Sequence, residues 1–232
     1  MEEIDVEKMS DEQRFELAGK YADNVRNALT VALRRSDYRS NAEMLFRAGC
    51  YREVLIHRFS DLADVALQLL ASRTMVPAFV VVRAVLETTA VMFQFRQKSE
   101  AFLNSGDVDA YEAFIKKGLL GSRDGSTEEE SQNILTIIRH CEKKFSGIEA
   151  MYARLCEYTH PNFAGVLGSY ATVDKRSWTL HLGKTLNPPH LVIGLAPLMG
   201  CLDIFTEYYN SAGEVITKID SQLESQTEQG DH

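Results

Sequence analysis

Residues 77–95, PAFVVVRAVLETTAVMFQF, are apolar on almost every helical face. Phe79, Val80, Val81, Val82, Val85, Leu86, Val91, Met92, Phe93 and Phe95 leave no wide polar stripe. A helix that is hydrophobic all round is a buried one. Pro77 suits its first turn, where a missing N–H costs no hydrogen bond. The segment therefore predicts a central helix with other elements wrapped around it.

Two charges interrupt that surface. Arg83 and Glu87 are four apart and share a face. The Arg comes first, the weaker order for an intrahelical pair, and desolvation opposes the Coulomb gain of a buried pair. Two readings stay open: a core pair that sets helix register, or the polar lining of a site. Thr88 and Thr89 serve either one. A membrane span is not expected, because an Arg and a Glu near the centre are costly in lipid. No other segment is expected to approach a clean span of about 20 apolar residues.

A chain of 232 residues with 45% hydrophobic content supports one sizeable core. Only five prolines and 14 glycines interrupt long periodic segments, so the fold class is all-α. The net charge of −8 and the lack of a basic tail argue against a strong nonspecific nucleic-acid binder. Cys50, Cys141, Cys156 and Cys201 are far apart and form no CxxC, which points to reduced thiols rather than a zinc site or disulfide framework. No metal and no cofactor are expected. The acidic start MEEIDVEKMS has no apolar core and does not read as a secretory signal, so a cytoplasmic location is expected.

The expected organisation is a flexible lead-in over 1–9, a single helical domain over 10–223 and a disordered tail over 224–232. Ser10 and Gln13 read as a capping box opening a helix that reaches about Arg34. A long helix over about 41–72 follows, with Gly49 as a candidate break. After the central helix and a turn at 104–109 comes a short helix to about Lys117. Further capping boxes at Ser126–Glu129 and Ser146–Glu149 predict helices to about Phe145 and to His160, where Pro161 forces a stop. Residues 161–187 read as an irregular insert with a small β-hairpin, because SWTLHLG alternates in strand fashion. Asn187 and Pro188 restart helix, which carries Pro197 as a predicted kink or break and reaches about Leu223. The apolar residues over 191–209 and the central helix offer a homodimer interface.

No GxGxxG, Walker-type phosphate loop, HExxH or GxSxG is present. The most pointed polar patch is 152–162, YARLCEYTHPN. Arg154 and Tyr158 share a helical face there. His160 falls at the forced helix end, where an imidazole is open to the loop, and Asn162 follows Pro161. An alternative role for His160 is simply to bond the last carbonyls of the helix.

Arg154, five intervening residues and His160 resemble the Arg-x(4–6)-His signature of HEPN domains, all-α and often dimeric proteins of bacterial toxin and defence systems. The pairing of an R-x-x-x-E helix (Arg83, Glu87) with a later Y-x-H-P segment (Tyr158 to Pro161) is similar to uncharacterised bacterial HEPN-like proteins. The likeness covers roughly 75–168. It implies a HEPN-like helical bundle that binds RNA or a nucleotide in a helical cleft, with Arg83, Glu87, Tyr158 and Asn162 in support. The alternative it implies is a metal-independent endoribonuclease. His160 would then move the proton and Arg154 would stabilise phosphate charge. Toxin-type members carry a polar residue directly after the Arg; this chain has Leu155, which favours a non-catalytic or weakly catalytic module. A protein partner is a further expectation. The Arg-x(4–6)-His pattern recurs at Arg52–His57, inside a long helix where the two point apart, and at Arg176–His181, in the irregular insert. His57, His140 and His190 read as surface or helix-end residues. The loop DKRSW over 174–178 reads as solvated, with a contact surface for RNA as the alternative.

Overall fold

The computed structural model describes residues 9–40, 42–186 and 188–230. Among them are eight α-helices and one small hairpin. In chain order these are α1 (Asp11–Asn27), α2 (Glu43–Ala71), α3 (Met75–Ser105), α4 (Val108–Leu120), α5 (Ile134–Glu142), α6 (Ile148–Thr159), α7 (Leu167–Tyr170), β1 (Ala171–Asp174), β2 (Thr179–Leu182) and α8 (Pro188–Gly230). The protein is thus an all-α helical bundle with a β-hairpin insert. The hairpin is antiparallel, with Ala171 opposite Leu182 and Asp174 opposite Thr179.

The chain sorts into two compact units. Unit 1 holds Met1–Asn27, Phe59–Glu87 and Phe145–Asp203, and unit 2 holds Ala28–Arg58, Thr88–Lys144 and Ile204–His232. In unit 1, α8 comes close to α2 and α3 at Gly194. A Cβ there would lie 2.8 Å from Leu70 Cδ2 and 3.1 Å from the Phe79 ring. The core around it takes Ala18 and Ala22 from α1, Val82 and Leu86 from α3, and Leu155 from α6. In unit 2, Tyr51 meets the Phe95 ring edge-on at 5.5 Å and Phe114 at 6.0 Å. Phe102 stacks on Tyr111 at 4.7 Å, and the Tyr111 hydroxyl lies 2.8 Å from Ser99 Oγ. Aromatic pairs at such spacings add to area burial.

Several local expectations hold. The Ser10 amide donates to Gln13 Oε1 at 2.8 Å while the Gln13 amide donates to Ser10 Oγ at 3.3 Å, so the capping box forms. Pro77 lies in the first turn of α3, and α6 stops with His160 as its C-cap.

Other boundaries differ. α1 ends at Asn27, short of Arg34: β-branched Thr30 and Val31 follow, and the Thr30 carbonyl is 2.9 Å from His57 Nε2. α2 runs straight through Gly49, whose missing side chain makes room for Tyr38; a Cβ would fall 1.8 Å from the Tyr38 hydroxyl. The Ser126 box opens no helix. The Ser126 amide donates to Asp124 Oδ1, and Thr127 Oγ1 donates to the Leu120 carbonyl, local bonds that compete with a cap. Asn133 caps α5 instead, accepting from the amides of Leu135 and Thr136. Gly147, at φ 96°, precedes α6 in place of a Ser146 cap. α8 continues past Pro197 without a break and past Leu223 to Gly230. The expected cap at Asn187, most of the lead-in (1–8) and residues 231–232 of the tail lie outside the described residues.

Among the described residues, two helices are long and apolar enough to cross a membrane by length and composition: α3, with a mean hydropathy of 1.7 over its best window, and His190–Gln226 of α8, with 1.4. The second corrects the expectation that residues 77–95 are alone in this. The two windows are 56% and 61% buried inside the protein, as the core helices of a bundle are.

Candidate functional site

The end of α6 is fixed by backbone contacts. The His160 amide donates to the Cys156 carbonyl at 3.1 Å, and the His160 carbonyl accepts from the Asn162 amide at 2.8 Å. Asn162 folds the following turn: its Nδ2 donates to Glu157 Oε2 at 2.7 Å and its Oδ1 accepts from the Gly165 amide at 3.1 Å. Gly165 is required there, since a Cβ would sit 2.2 Å from the His160 carbonyl oxygen. The His160 imidazole is exposed and has no hydrogen bond or ion pair among the described residues.

Neighbouring positions on α6 divide between core and solvent. Ile148, Tyr152 and Leu155 are buried. Arg154, about 100° round the helix from Leu155, is exposed and makes no ion pair or hydrogen bond among the described residues. Tyr158 is half-buried with its ring edge toward Phe79 at 4.9 Å. It is a packing residue as much as a surface one. Leu155 fills the core completely, which explains why the position after Arg154 is apolar here.

Arg83 and Glu87 do pair. Arg83 Nε donates to Glu87 Oε1 at 3.1 Å, and both side chains keep about a quarter of their surface exposed, 27% and 24%. The third member is Tyr152, whose hydroxyl donates to the same Glu87 oxygen at 3.0 Å. The Arg83 guanidinium also lies 5.6 Å from the Tyr152 ring centroid. Burial, then the Glu87 charge and hydrogen bond, push the Tyr152 hydroxyl up to about 12. Burial pulls the Arg83 pKa down, but the Glu87 bond and charge outweigh it and raise it. The cluster is self-satisfied. No hydrogen bond joins it to Arg154 or His160 among the described residues.

Unit 2 holds a second polar cluster that the sequence reading missed. The Arg52 guanidinium lies 3.6 Å above the Tyr209 ring, donates from Nε to the Tyr209 carbonyl at 3.1 Å and pairs with Glu53. The Tyr209 hydroxyl is 3.0 Å from both Glu53 oxygens. Burial and the Glu53 charge, against the opposing Arg52 charge, lift Tyr209 to about 12. A Cβ at Gly213 would lie 2.9 Å from Arg52 Nη2, so that glycine admits the guanidinium. The available signal was an adjacent Arg-Glu inside an otherwise apolar helical pattern. Arg52 and His57 point apart as expected: one meets Tyr209, the other the Thr30 carbonyl.

Among the described residues no group of His, Cys, Asp and Glu is placed to hold a metal ion, and all four cysteines are free thiols. Buried Cys141 and exposed His140 lie on different faces of α5. The sequence matches no protein-family model, no curated protein and no solved structure.

Proposed function

We propose that this chain is a HEPN-like helical module of a bacterial defence or toxin system, binding RNA or a nucleotide at the exposed end of α6 without efficient cleavage. One observation carries the reading: Arg154 on α6 and His160 at its C-cap are both exposed and make no hydrogen bond or ion pair among the described residues, and the turn after His160 is clamped by Asn162 and Gly165. A guanidinium forks onto phosphate oxygens, and an imidazole adds a second donor or a stacking face. Cleavage is disfavoured because Leu155 is committed to the core and Glu87 is committed to Arg83 and Tyr152.

The test uses labelled single-stranded RNA, followed by anisotropy, with a parallel cleavage assay in EDTA. Arg154→Glu is expected to weaken binding about tenfold or more, the scale of losing a charge-assisted contact. Unchanged affinity in Arg154→Glu and His160→Ala would sink this surface as the binding site. Cleavage by the wild type that disappears in an equally folded His160→Ala protein would replace the binding role with a metal-independent endoribonuclease.

A further inference from the structure

In unit 2, α3 and α5 enclose a groove of about 350 Å³ lined by Gln94, Lys98, His140, Lys143 and Lys144 over a floor at Phe93. An adjoining hollow of about 410 Å³ shares Gln94 and Lys98 and adds Lys117. Neither contains a carboxylate, although the chain has 33 acidic residues against 25 basic ones. Elsewhere Arg26, Arg47, Arg52, Arg83 and Arg96 each hold an acid. Lys98, Lys117, Lys143 and Lys144 make no ion pair among the described residues. A cleft lined by one sign of charge focuses its field and gathers counter-ions.

The α5 dipole accounts for cations at that helix's C-terminal end, where His140, Lys143 and Lys144 lie. It does not account for Lys98, which comes from α3, nor for Gln94. Gln94 lines both hollows, and its Oε1 is turned inward, buried with no hydrogen-bond partner. A buried acceptor left unpaired is costly. A ligand that offers an anion to the exposed lysines and an N–H to the amide gives the charges a partner and removes that one penalty. A phosphate next to a base with an exocyclic amino group has that pair of features, and a groove of this size holds one such unit.

We infer that the α3–α5 groove is a nucleotide site, taking either a free nucleotide or the phosphorylated end of an RNA. The lysines meet the phosphate, His140 at the rim offers a ring for stacking, and the Gln94 amide turns its oxygen into the groove to accept from the base. The site lies wholly in unit 2 and does not depend on binding at α6.

The experiment titrates the full chain with adenosine 5′-monophosphate, adenosine, inorganic phosphate, and matched RNA oligonucleotides with and without a 5′-phosphate. The nucleotide is expected to bind more tightly than adenosine or phosphate alone. Preference for the 5′-phosphorylated RNA over the free nucleotide identifies the RNA end as the source, and the reverse identifies the free nucleotide. Lys98→Glu with Lys143→Glu is expected to lose at least about tenfold in nucleotide affinity, and the milder Lys98→Gln with Lys143→Gln gives the same direction in an equally folded protein. Gln94→Met is expected to weaken the nucleotide but not inorganic phosphate. Arg154→Glu is expected to leave groove binding unchanged. No nucleotide binding by the wild type, or equal binding by the lysine variants, overturns the inference. Loss in Arg154→Glu alone overturns it while leaving the α6 reading standing.

Discussion

Tyr152 on α6 donates its hydroxyl to the Glu87 oxygen on α3 that also accepts from Arg83, at 3.0 Å and 3.1 Å. One carboxylate oxygen thus ties α6 to the middle of the central helix and satisfies a half-buried guanidinium. Tyr152→Phe removes one donor while Glu87 keeps Arg83, so a loss of about 1 kcal/mol is expected. Glu87→Ala strands both donors and is expected to cost more, about 2 kcal/mol. Denaturant unfolding of both variants and the double variant measures the coupling, which should be well above zero. Additive losses would mean that the shared oxygen contributes no coupling.

Asp220 is a pH-sensitive tie within unit 2. Its buried carboxylate accepts from the Arg39 amide at 2.8 Å, the Ser40 amide at 2.9 Å and Ser40 Oγ at 2.6 Å. Burial pushes its pKa up, but the Ser40 and Arg39 hydrogen bonds outweigh that and hold it below the ordinary 3.8. A depressed folded-state pKa means the contribution is complete above 3.8 and is lost as pH falls through the lower folded value. Asp220→Asn should cost about 2 kcal/mol near neutral pH. Its stability curve should converge on the wild type below pH 3.8, where the native carboxylate takes up its proton. A constant gap down to pH 2, measured by denaturant titration at each pH, contradicts this account.

Two glycines in helix interiors should respond with opposite sign. A Cβ at Gly118 would lie 2.2 Å from the Tyr51 ring, which Phe95 and Phe114 hold in place. A Cβ at Gly19 would meet nothing within 4 Å. Gly19→Ala should stabilise by about 0.5–1 kcal/mol through helix propensity. Gly118→Ala should destabilise by about 1–3 kcal/mol, because overpacking against a locked ring exceeds the same propensity gain. Thermal melts of the two variants decide both.

Trp178, the chain's single tryptophan, is 91% exposed at the hairpin turn and has a left-handed φ of 51°. Its emission should already be that of indole in water, so denaturant should shift the maximum little, and iodide should quench it in the native state. Quenching on addition of RNA would show that the 174–178 loop touches the ligand. A native spectrum shifted well to the blue would contradict the exposed position.

What could be read from the chain was chemistry confined to a few neighbouring positions. The Ser10–Gln13 box, Pro77 in the first turn of α3, the stop before Pro161 and the alternating hairpin each depend on contacts within a helical turn or a strand pair. The Ser126 box failed because Asp124 and Leu120 offered closer partners, and Asn133 capped α5 instead. Such ties between equal local motifs are broken by which of the competing local hydrogen bonds the folded loop lets form.

The candidate site divides in the same way. Arg83 and Glu87 were visible as a pair because they lie four apart on one helix. That Tyr152, 65 residues on, would take the same oxygen was not visible. Nor was the meeting of Arg52 and Glu53 with Tyr209, or the placing of Lys98 and Lys143 on one groove. By itself the sequence determined an all-α chain, its buried central helix and its hairpin, because periodicity and turn chemistry act over a few residues. Only the tertiary structure decided which charges are spent on one another and which stay exposed. That choice depends on which helices come within about 3 Å of each other, a distance in space that separation along the chain does not encode.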